Sequence, residues 1–183
     1  MDLEHPKYAL MVGHRIENRI LLPATAALEI AYGHLSFNIG TTMEDLPVVF
    51  TNVVLRRATL LSTQTPTKIF STFNTASGNF QLQNDGDVVV SGNIKILPQG
   101  ELAPVEMPQV PESSYLPLKK QDAYKEFKLR GYNYTGAFQG IQKIDNEGRS
   151  HSISPSQNLS CSKILVFCGT QETGPTLNGQ ALG

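Results

Sequence analysis

The sequence predicts an α+β fold in which one apolar helix is followed by a set of antiparallel strands. Apolar residues repeat at helical spacing after Thr25, and strand-like segments rich in valine, phenylalanine and threonine follow them. A strong hairpin signal, Asn-Asp-Gly-Asp, lies at residues 84–87. Helices and strands do not alternate along the first hundred residues, so the pattern does not favour a doubly wound parallel sheet.

The composition is that of an ordinary globular chain. Its 183 residues favour one domain or slightly more, and a net charge of −1 gives no reason to expect nucleic acid or a membrane as a partner. The apolar segment 20–32 is shorter than the roughly 20 residues that span a bilayer. The two cysteines, Cys161 and Cys168, fit neither a zinc pair nor a redox motif, and the acidic N-terminus does not resemble a secretory signal. We therefore expect a cytoplasmic protein without a metal site.

The first part of the chain, residues 1–97, contains the predicted helix and most of the predicted strands. Short apolar runs at 8–12 and 19–22 predict extended segments, and Thr25 is expected to be the N-cap or a first-turn residue of the helix. The apolar stripe of that helix comprises Ala27, Leu28, Ile30, Ala31 and Leu35. The helix is expected to end around residues 37–40, where Asn38 and Gly40 tolerate left-handed angles.

Strands are predicted over residues 46–61, 68–73, 80–83 and 88–97, the last two joined by the hairpin at 84–87. Residues 98–117 hold five of the eleven prolines and predict an extended linker.

Residues 118–149 begin a second unit. A helix is predicted over 119–130, with Tyr124 and Phe127 facing inward, its basic residues facing outward and Gly131 as its C-cap. Residues 141–144 look like the first arm of a hairpin, followed by a turn that contains Asp145 and no convincing return strand. Residues 150–183 are polar with one apolar cluster, and we expect them to form an atypical, disordered tail.

His14 is the candidate catalytic residue, because histidine is the side chain best suited to proton transfer near neutral pH. It precedes an apolar strand and the amphipathic helix, so it could move a proton beside an apolar tunnel. Taken alone, a single histidine is more often structural. We assign His34 to the boundary of the helix and no role to His5 or His151.

Residues 14–23 read H-x-x-x-N-x-x-x-x-P and continue as Ala-Thr-Ala. This resembles the HxxxGxxxxP motif of the dehydratase domains of animal fatty acid synthases and modular polyketide synthases. Three later segments resemble parts of the same domains in the same order, namely 46–61, 122–130 and 131–140, the last reading GYNYTGAFQG against GYxYGPxFQG. The resemblance covers about residues 8–149, and insect-like fatty acid synthases are the nearest type that we can suggest.

The resemblance implies a double hot-dog fold, in which an antiparallel sheet wraps a central helix in each repeat, with the first repeat complete and the second only begun. It also implies loss of water from a (3R)-3-hydroxyacyl thioester to give the trans-2-enoyl thioester. The substrate would be carried on the phosphopantetheine of acyl carrier protein, and no cofactor would bind the chain directly. The other fatty acid synthase domains and a homodimer are the further partners considered.

By the same resemblance, His14 would take the C2 proton and a carboxylic acid of the second repeat would protonate the departing hydroxyl. Backbone N–H groups near position 18, together with the helix N-terminus, would polarise the thioester carbonyl. The implied substrate-binding residues are Asn18, Pro23, Tyr134, Gly136 and Phe138.

The sequence departs from the family pattern at three places. Asn18 replaces the glycine of the first motif, which is acceptable because asparagine tolerates left-handed angles. Thr135 and Ala137 replace the glycine and proline of the second. Most importantly, the family's acid lies in an Asp-x-x-x-Gln/His pattern, and no aspartate of this chain has glutamine or histidine four residues later.

Three functions therefore remain open from sequence. The chain is a dehydratase domain, or an inactive fragment with an acyl-binding or structural role, or a single hot-dog thioesterase or hydratase completed by a second copy. The basic face of the second helix is either a docking surface for acidic carrier protein or a solvated face. Apolar surface around residues 132–144 predicts self-association.

Overall fold

The computed structural model describes residues 1–43, 46–98 and 116–145, and the backbone of two further strands at 151–153 and 164–166. The first helices and the first hairpin are α1 (Pro6–Ala9), a 3₁₀ helix (Leu10–Gly13), β1 (Arg15–Ile16), β2 (Arg19–Ile20) and α2 (Ala24–Asn38). The next four strands are β3 (Val48–Leu55), β4 (Phe70–Phe73), β5 (Asn79–Asn84) and β6 (Asp87–Ile96). The remaining elements are β7 (Pro117–Lys119), α3 (Lys120–Leu129), a 3₁₀ turn (Gly136–Phe138), β8 (Ile141–Asp145), β9 (His151–Ile153) and β10 (Ile164–Val166).

A five-stranded sheet in the order β10-β3-β6-β5-β4 packs around α2. Its pairs are antiparallel except for the β10–β3 pair, which is parallel. A separate sheet, β7-β8-β9, lies beside α3. The predicted α+β class is therefore confirmed.

The core lies between α2 and the inner face of the five-stranded sheet. The predicted apolar stripe of α2 is buried except for the half-buried Ile30, and on the sheet side Phe50 and Phe80 meet edge to face with ring centroids 5.9 Å apart. Buried side chains alternate along β5 with the period of two that a strand requires. This packing holds α2 in place on the sheet, and with it the segment that ends at Pro23.

The entry segment is helical, so the prediction of an extended run at residues 8–12 is wrong. Pro6 occupies the start of α1, where its missing N–H costs nothing, and the Nδ1 atom of His5 accepts a hydrogen bond from the Lys7 N–H at 3.2 Å. These two capping signals outweigh the short apolar run. At α2 the N-cap is Pro23 and Thr25 lies in the first turn.

The hairpin predicted at residues 84–87 is confirmed, with Asp85 and Gly86 at φ of 52° and 87°. Strand β3 is shorter than predicted, because a register shift follows Thr51 and the chain leaves the strand after Leu55. Residues 59–61 pair instead with the first hairpin, and the Leu61 N–H donates to the Ile20 carbonyl at 2.9 Å.

The second unit has more structure than its sequence indicated. Helix α3 ends at Leu129 with Arg130 as its C-cap, and Gly131, the predicted C-cap, follows at φ 89°. The hairpin that begins at β8 does have a return strand, β9, so that prediction is wrong. Asp145 was predicted to lie in a turn, but it is the last residue of β8, paired with Pro117 of β7, and it is buried.

Other predictions lie outside the described residues. They concern most of the 98–117 linker, of which Pro117 begins β7, and the tail apart from β9 and β10, including both cysteines. Among the helices that the structure describes, none has the length and apolarity needed to cross a bilayer.

Candidate active site

His14 lies between the 3₁₀ helix and β1, and its backbone and side chain both bind Leu21. The Leu21 N–H donates to the His14 carbonyl at 3.1 Å, and the Nδ1 atom of the half-buried imidazole is 2.9 Å from the Leu21 carbonyl oxygen. The His14 N–H donates to the Met11 carbonyl at 2.9 Å. The ring is therefore held against the strand that leads into α2.

The bond to Leu21 selects one tautomer of His14. A carbonyl oxygen only accepts hydrogen bonds, so Nδ1 carries the hydrogen and Nε2 keeps a lone pair. An imidazole in this state is a neutral base at Nε2. The arrangement can accept a proton without first losing one.

The hairpin that follows His14 turns through two residues in the left-handed region. Glu17 and Asn18 have φ values of 49° and 63°, as in the tight turns that match the twist of a hairpin. This explains how asparagine stands where the similar motif has glycine, since asparagine enters this region more readily than most residues.

Residues 131–135 join the second unit to this hairpin by adding to the edge of β1. Three main-chain hydrogen bonds connect them: Glu17 N–H to the Gly131 carbonyl (2.7 Å), Asn133 N–H to the Arg15 carbonyl (2.8 Å) and Thr135 N–H to the Gly13 carbonyl (3.0 Å). Gly13 is required at this junction, because a Cβ atom there would lie 2.4 Å from the Thr135 carbonyl oxygen.

This junction brings two aromatic rings against the imidazole. The Tyr134 ring stacks on that of His14 with centroids 5.3 Å apart and 21° between planes, and the Phe138 ring lies 5.0 Å away. Burial, and then the nearby Tyr132 and Tyr124 hydroxyls, raise the pKa of Tyr134 above its ordinary value. The two rings that contact His14 are thus uncharged at neutral pH.

The structure brings His14, Tyr134 and Phe138 together and places the other predicted site residues around them. Gly136, at φ 58°, opens the 3₁₀ turn that carries Phe138, and Pro23 is buried as the N-cap of α2. Asn18 is exposed at the hairpin turn. The catalytic and substrate-binding roles of these residues stay predictions.

The backbone amides near position 18 already have acceptors inside the protein. The Glu17 N–H donates to the Gly131 carbonyl, and the Asn18 N–H donates to Oδ1 of Asn133 at 3.3 Å. By contrast, Pro23 makes no side-chain cap, and the first-turn N–H groups of a helix have no acceptor within it. Polarisation of a bound carbonyl is therefore better suited to the start of α2 than to the hairpin turn.

Two side chains near the site had no predicted role. The Tyr124 hydroxyl donates to the Phe138 carbonyl at 3.2 Å and accepts from the Ile141 N–H at 3.0 Å, and Nε2 of Gln139 donates to the Tyr134 carbonyl at 2.8 Å. The inward position of Tyr124 was the only signal of its importance in the sequence. Within the described ranges, no group of three or more His, Cys, Asp or Glu side chains is arranged to hold a metal ion.

Sequence comparison with known proteins finds a relative among polyketide synthases. No protein-family model matches the chain. It is 25% identical over 173 residues to the highly reducing polyketide synthase verA of Penicillium polonicum, a match that covers 83% of this chain and 6% of that synthase.

Dehydratase domains are among the solved structures that this chain is similar to. That of the CurF module of the Curacin polyketide synthase aligns with a TM-score of 0.62 at 19% identity over 79% of this chain, and that of PpsC from Mycobacterium tuberculosis with 0.61 at 16% over 80%. The chain spans about half the length of these structures, 54% and 52%. The resemblance predicted from sequence is therefore confirmed at the level of fold: the chain has the hot-dog fold of polyketide synthase dehydratase domains.

Proposed function

We propose that this chain removes the C2 proton of a 3-hydroxyacyl thioester as part of a dehydratase site. The observation that carries the proposal is the state of His14, whose Nδ1 is bound to the Leu21 carbonyl and whose ring is covered by Tyr134 and Phe138. A base with a free Nε2 lone pair beside aromatic side chains suits an acyl chain with a weakly acidic C–H bond.

In the proposed reaction, Nε2 of His14 takes the proton from C2 of the thioester. The electron pair of that C–H bond forms the C2–C3 double bond as the C3–O bond breaks. The departing hydroxyl takes a proton from an acid and leaves as water, so that the product is the trans-2-enoyl thioester. The reaction consists of two proton transfers and the cleavage of the C3–O bond, and it needs no oxidant or reductant.

The start of α2 would stabilise the charge that develops on the thioester oxygen. Its first-turn N–H groups and the positive end of the helix dipole favour an anion at this place, and removing one such donor from an enzyme typically costs about 100- to 1000-fold in kcat. Buried Pro23 fixes the direction in which these amides point.

The proposed substrate carrier is the phosphopantetheine arm of acyl carrier protein, within a fatty acid or polyketide synthase. The similarity to polyketide synthase dehydratase domains supports this class of substrate. We propose that the other synthase domains act with this chain, and that it functions in the cytoplasm.

A second candidate function is acyl-thioester binding without elimination of water. It is favoured by one observation, the lack of any Asp-x-x-x-Gln/His pattern to supply the acid in this sequence. The two candidates differ in whether the bound thioester loses water. Exchange at C2 and loss of water are therefore separate measurements.

The test is to incubate the purified chain with a 3-hydroxyacyl thioester in deuterated buffer and to follow both products. Dehydration predicts enoyl thioester, lost in His14→Asn and kept in the control His34→Asn, which removes a histidine bound to Ser71. Deuterium at C2 without enoyl product would identify base activity alone and support the second candidate. If neither product forms although the chain binds the thioester, the proposed proton transfer is wrong.

A further inference from the structure

The hydroxyl of Tyr124 connects helix α3 to the loop that carries Phe138, whose ring lies beside His14. Tyr124 lies on the inward side of α3, half-buried, with its ring edge to face on Phe127 at 5.6 Å. Its hydroxyl bridges the two ends of a short loop, donating to the Phe138 carbonyl and accepting from the Ile141 N–H. This loop, residues 138–141, follows the 3₁₀ turn Gly136–Phe138 and leads into β8.

The backbone hydrogen bonds of the turn before this loop do not connect it to α3. The Phe138 N–H donates to the Thr135 carbonyl at 3.2 Å and the Gln139 N–H donates to the Gly136 carbonyl at 3.0 Å, and both bonds stay within a single turn. Gly136 is in the left-handed region, and a Cβ atom there would contact nothing within 4 Å. The Tyr124 bonds tie this turn to a helix instead.

We infer that Tyr124 is a positioning residue for His14, acting through the Phe138 loop. Removal of the hydroxyl would leave the Phe138 carbonyl and the Ile141 N–H without this partner, and a polar group that loses its hydrogen bond moves or admits water to replace it. The Phe138 ring, 5.0 Å from the imidazole, would then shift. In this role Tyr124 touches no reacting atom. The inference rests on the proposed function only where it predicts an effect on turnover.

The first test uses the imidazole as its own reporter and does not depend on activity. Aromatic rings 5.0 and 5.3 Å away impose ring-current shifts on the His14 ring protons. In Tyr124→Phe these signals should move, while those of His5 and His34 stay in place, with the His14 signals assigned by their absence in His14→Asn. The control is Tyr132→Phe, because no hydrogen bond of its hydroxyl occurs among the described residues. Unchanged His14 signals in folded Tyr124→Phe would refute the inference.

A second measurement needs no variant. If the Tyr124 hydroxyl accepts from Ile141, that amide is protected from hydrogen exchange in the unaltered chain. Exchange of the Ile141 amide as fast as that of the exposed Gly86 turn would overturn the inference, even if Tyr124→Phe failed to fold.

Turnover then separates this inference from the proposed function. In a chain that forms enoyl thioester, Tyr124→Phe should lower kcat by about tenfold with KM changed less than about twofold, since displacing a group by about 1 Å can cost up to about 100-fold. An active parent with unchanged kcat in Tyr124→Phe would refute the positioning role. An inactive parent whose His14 signals still respond to Tyr124→Phe would refute the dehydratase proposal and support the positioning role.

Discussion

The Nδ1 atom of His14 lies 2.9 Å from the carbonyl oxygen of Leu21, seven residues further along the chain. The pairing of β1 with β2 brings these two residues together, and Leu21 returns a backbone bond to the His14 carbonyl. One short hairpin therefore both orients the imidazole and sets its tautomer. The same hairpin leads the chain to Pro23 and the start of α2, so the imidazole and the helix N-terminus are placed by a single local structure.

The first prediction concerns that tautomer. Nitrogen NMR of the unaltered chain with neutral His14 should show Nδ1 as the protonated, pyrrole-like nitrogen and Nε2 as the pyridine-like one, because the Leu21 carbonyl can only accept. The His14→Asn variant identifies the signals. A neutral His14 with its hydrogen on Nε2 would contradict both the hydrogen bond and the assignment of Nε2 as the base.

The second prediction concerns the hairpin turn at Asn18. Because its φ is 63°, Asn18→Val should lower the free energy of unfolding by about 1–2 kcal/mol, whereas Asn18→Gly should change it by only a few tenths. Urea unfolding of the two variants makes the comparison. Equal stability of the valine and glycine variants would show that residue 18 does not adopt the left-handed conformation in solution.

The sequence predicted those parts of the fold that depend on neighbours along the chain. The stripe on α2 and the turn at Asp85 and Gly86 are local patterns, and both were correct. Residues 8–12 differ from their prediction because an apolar run of five residues has no distinct period, whereas His5 and Pro6 determine the start of the helix. Capping signals of this kind can be read from sequence.

The candidate site depends on pairing that no local pattern reveals. Asn18 and Asn133 are 115 residues apart, yet the Asn18 N–H donates to the Asn133 side chain. The family resemblance named Tyr134 and Phe138, but their contact with His14 requires residues 131–135 to add to β1. For the same reason the bridging hydroxyl of Tyr124 could be found only in three dimensions.

The third prediction tests the close approach of residues 131–135. Gly13→Ala would place a Cβ atom 2.4 Å from the Thr135 carbonyl oxygen, so the backbones must separate and the variant should lose about 1–3 kcal/mol of stability. Gly33→Ala is the matched control. In the helical interior of α2, its Cβ atom would meet only Met43 at 3.7 Å, and alanine there should gain about 0.5–1 kcal/mol. Similar melting temperatures for the two variants would argue against the junction.

The last prediction concerns stability at alkaline pH. Burial and the neighbouring hydroxyls raise the pKa of Tyr134, so the folded chain favours the neutral phenol more than the unfolded chain does. The stability that the neutral Tyr134 phenol contributes is fully present below the pKa of the unfolded chain, about 10. It is lost as the pH rises through the higher pKa of the folded chain. Urea unfolding should therefore show stability falling above about pH 10, and less steeply in Tyr134→Phe, which has no phenol to ionise. If Tyr134→Phe and the unaltered chain decline alike over this range, the Tyr134 hydroxyl is as accessible to water in the folded chain as in the unfolded one, and the burial of Tyr134 does not persist in solution.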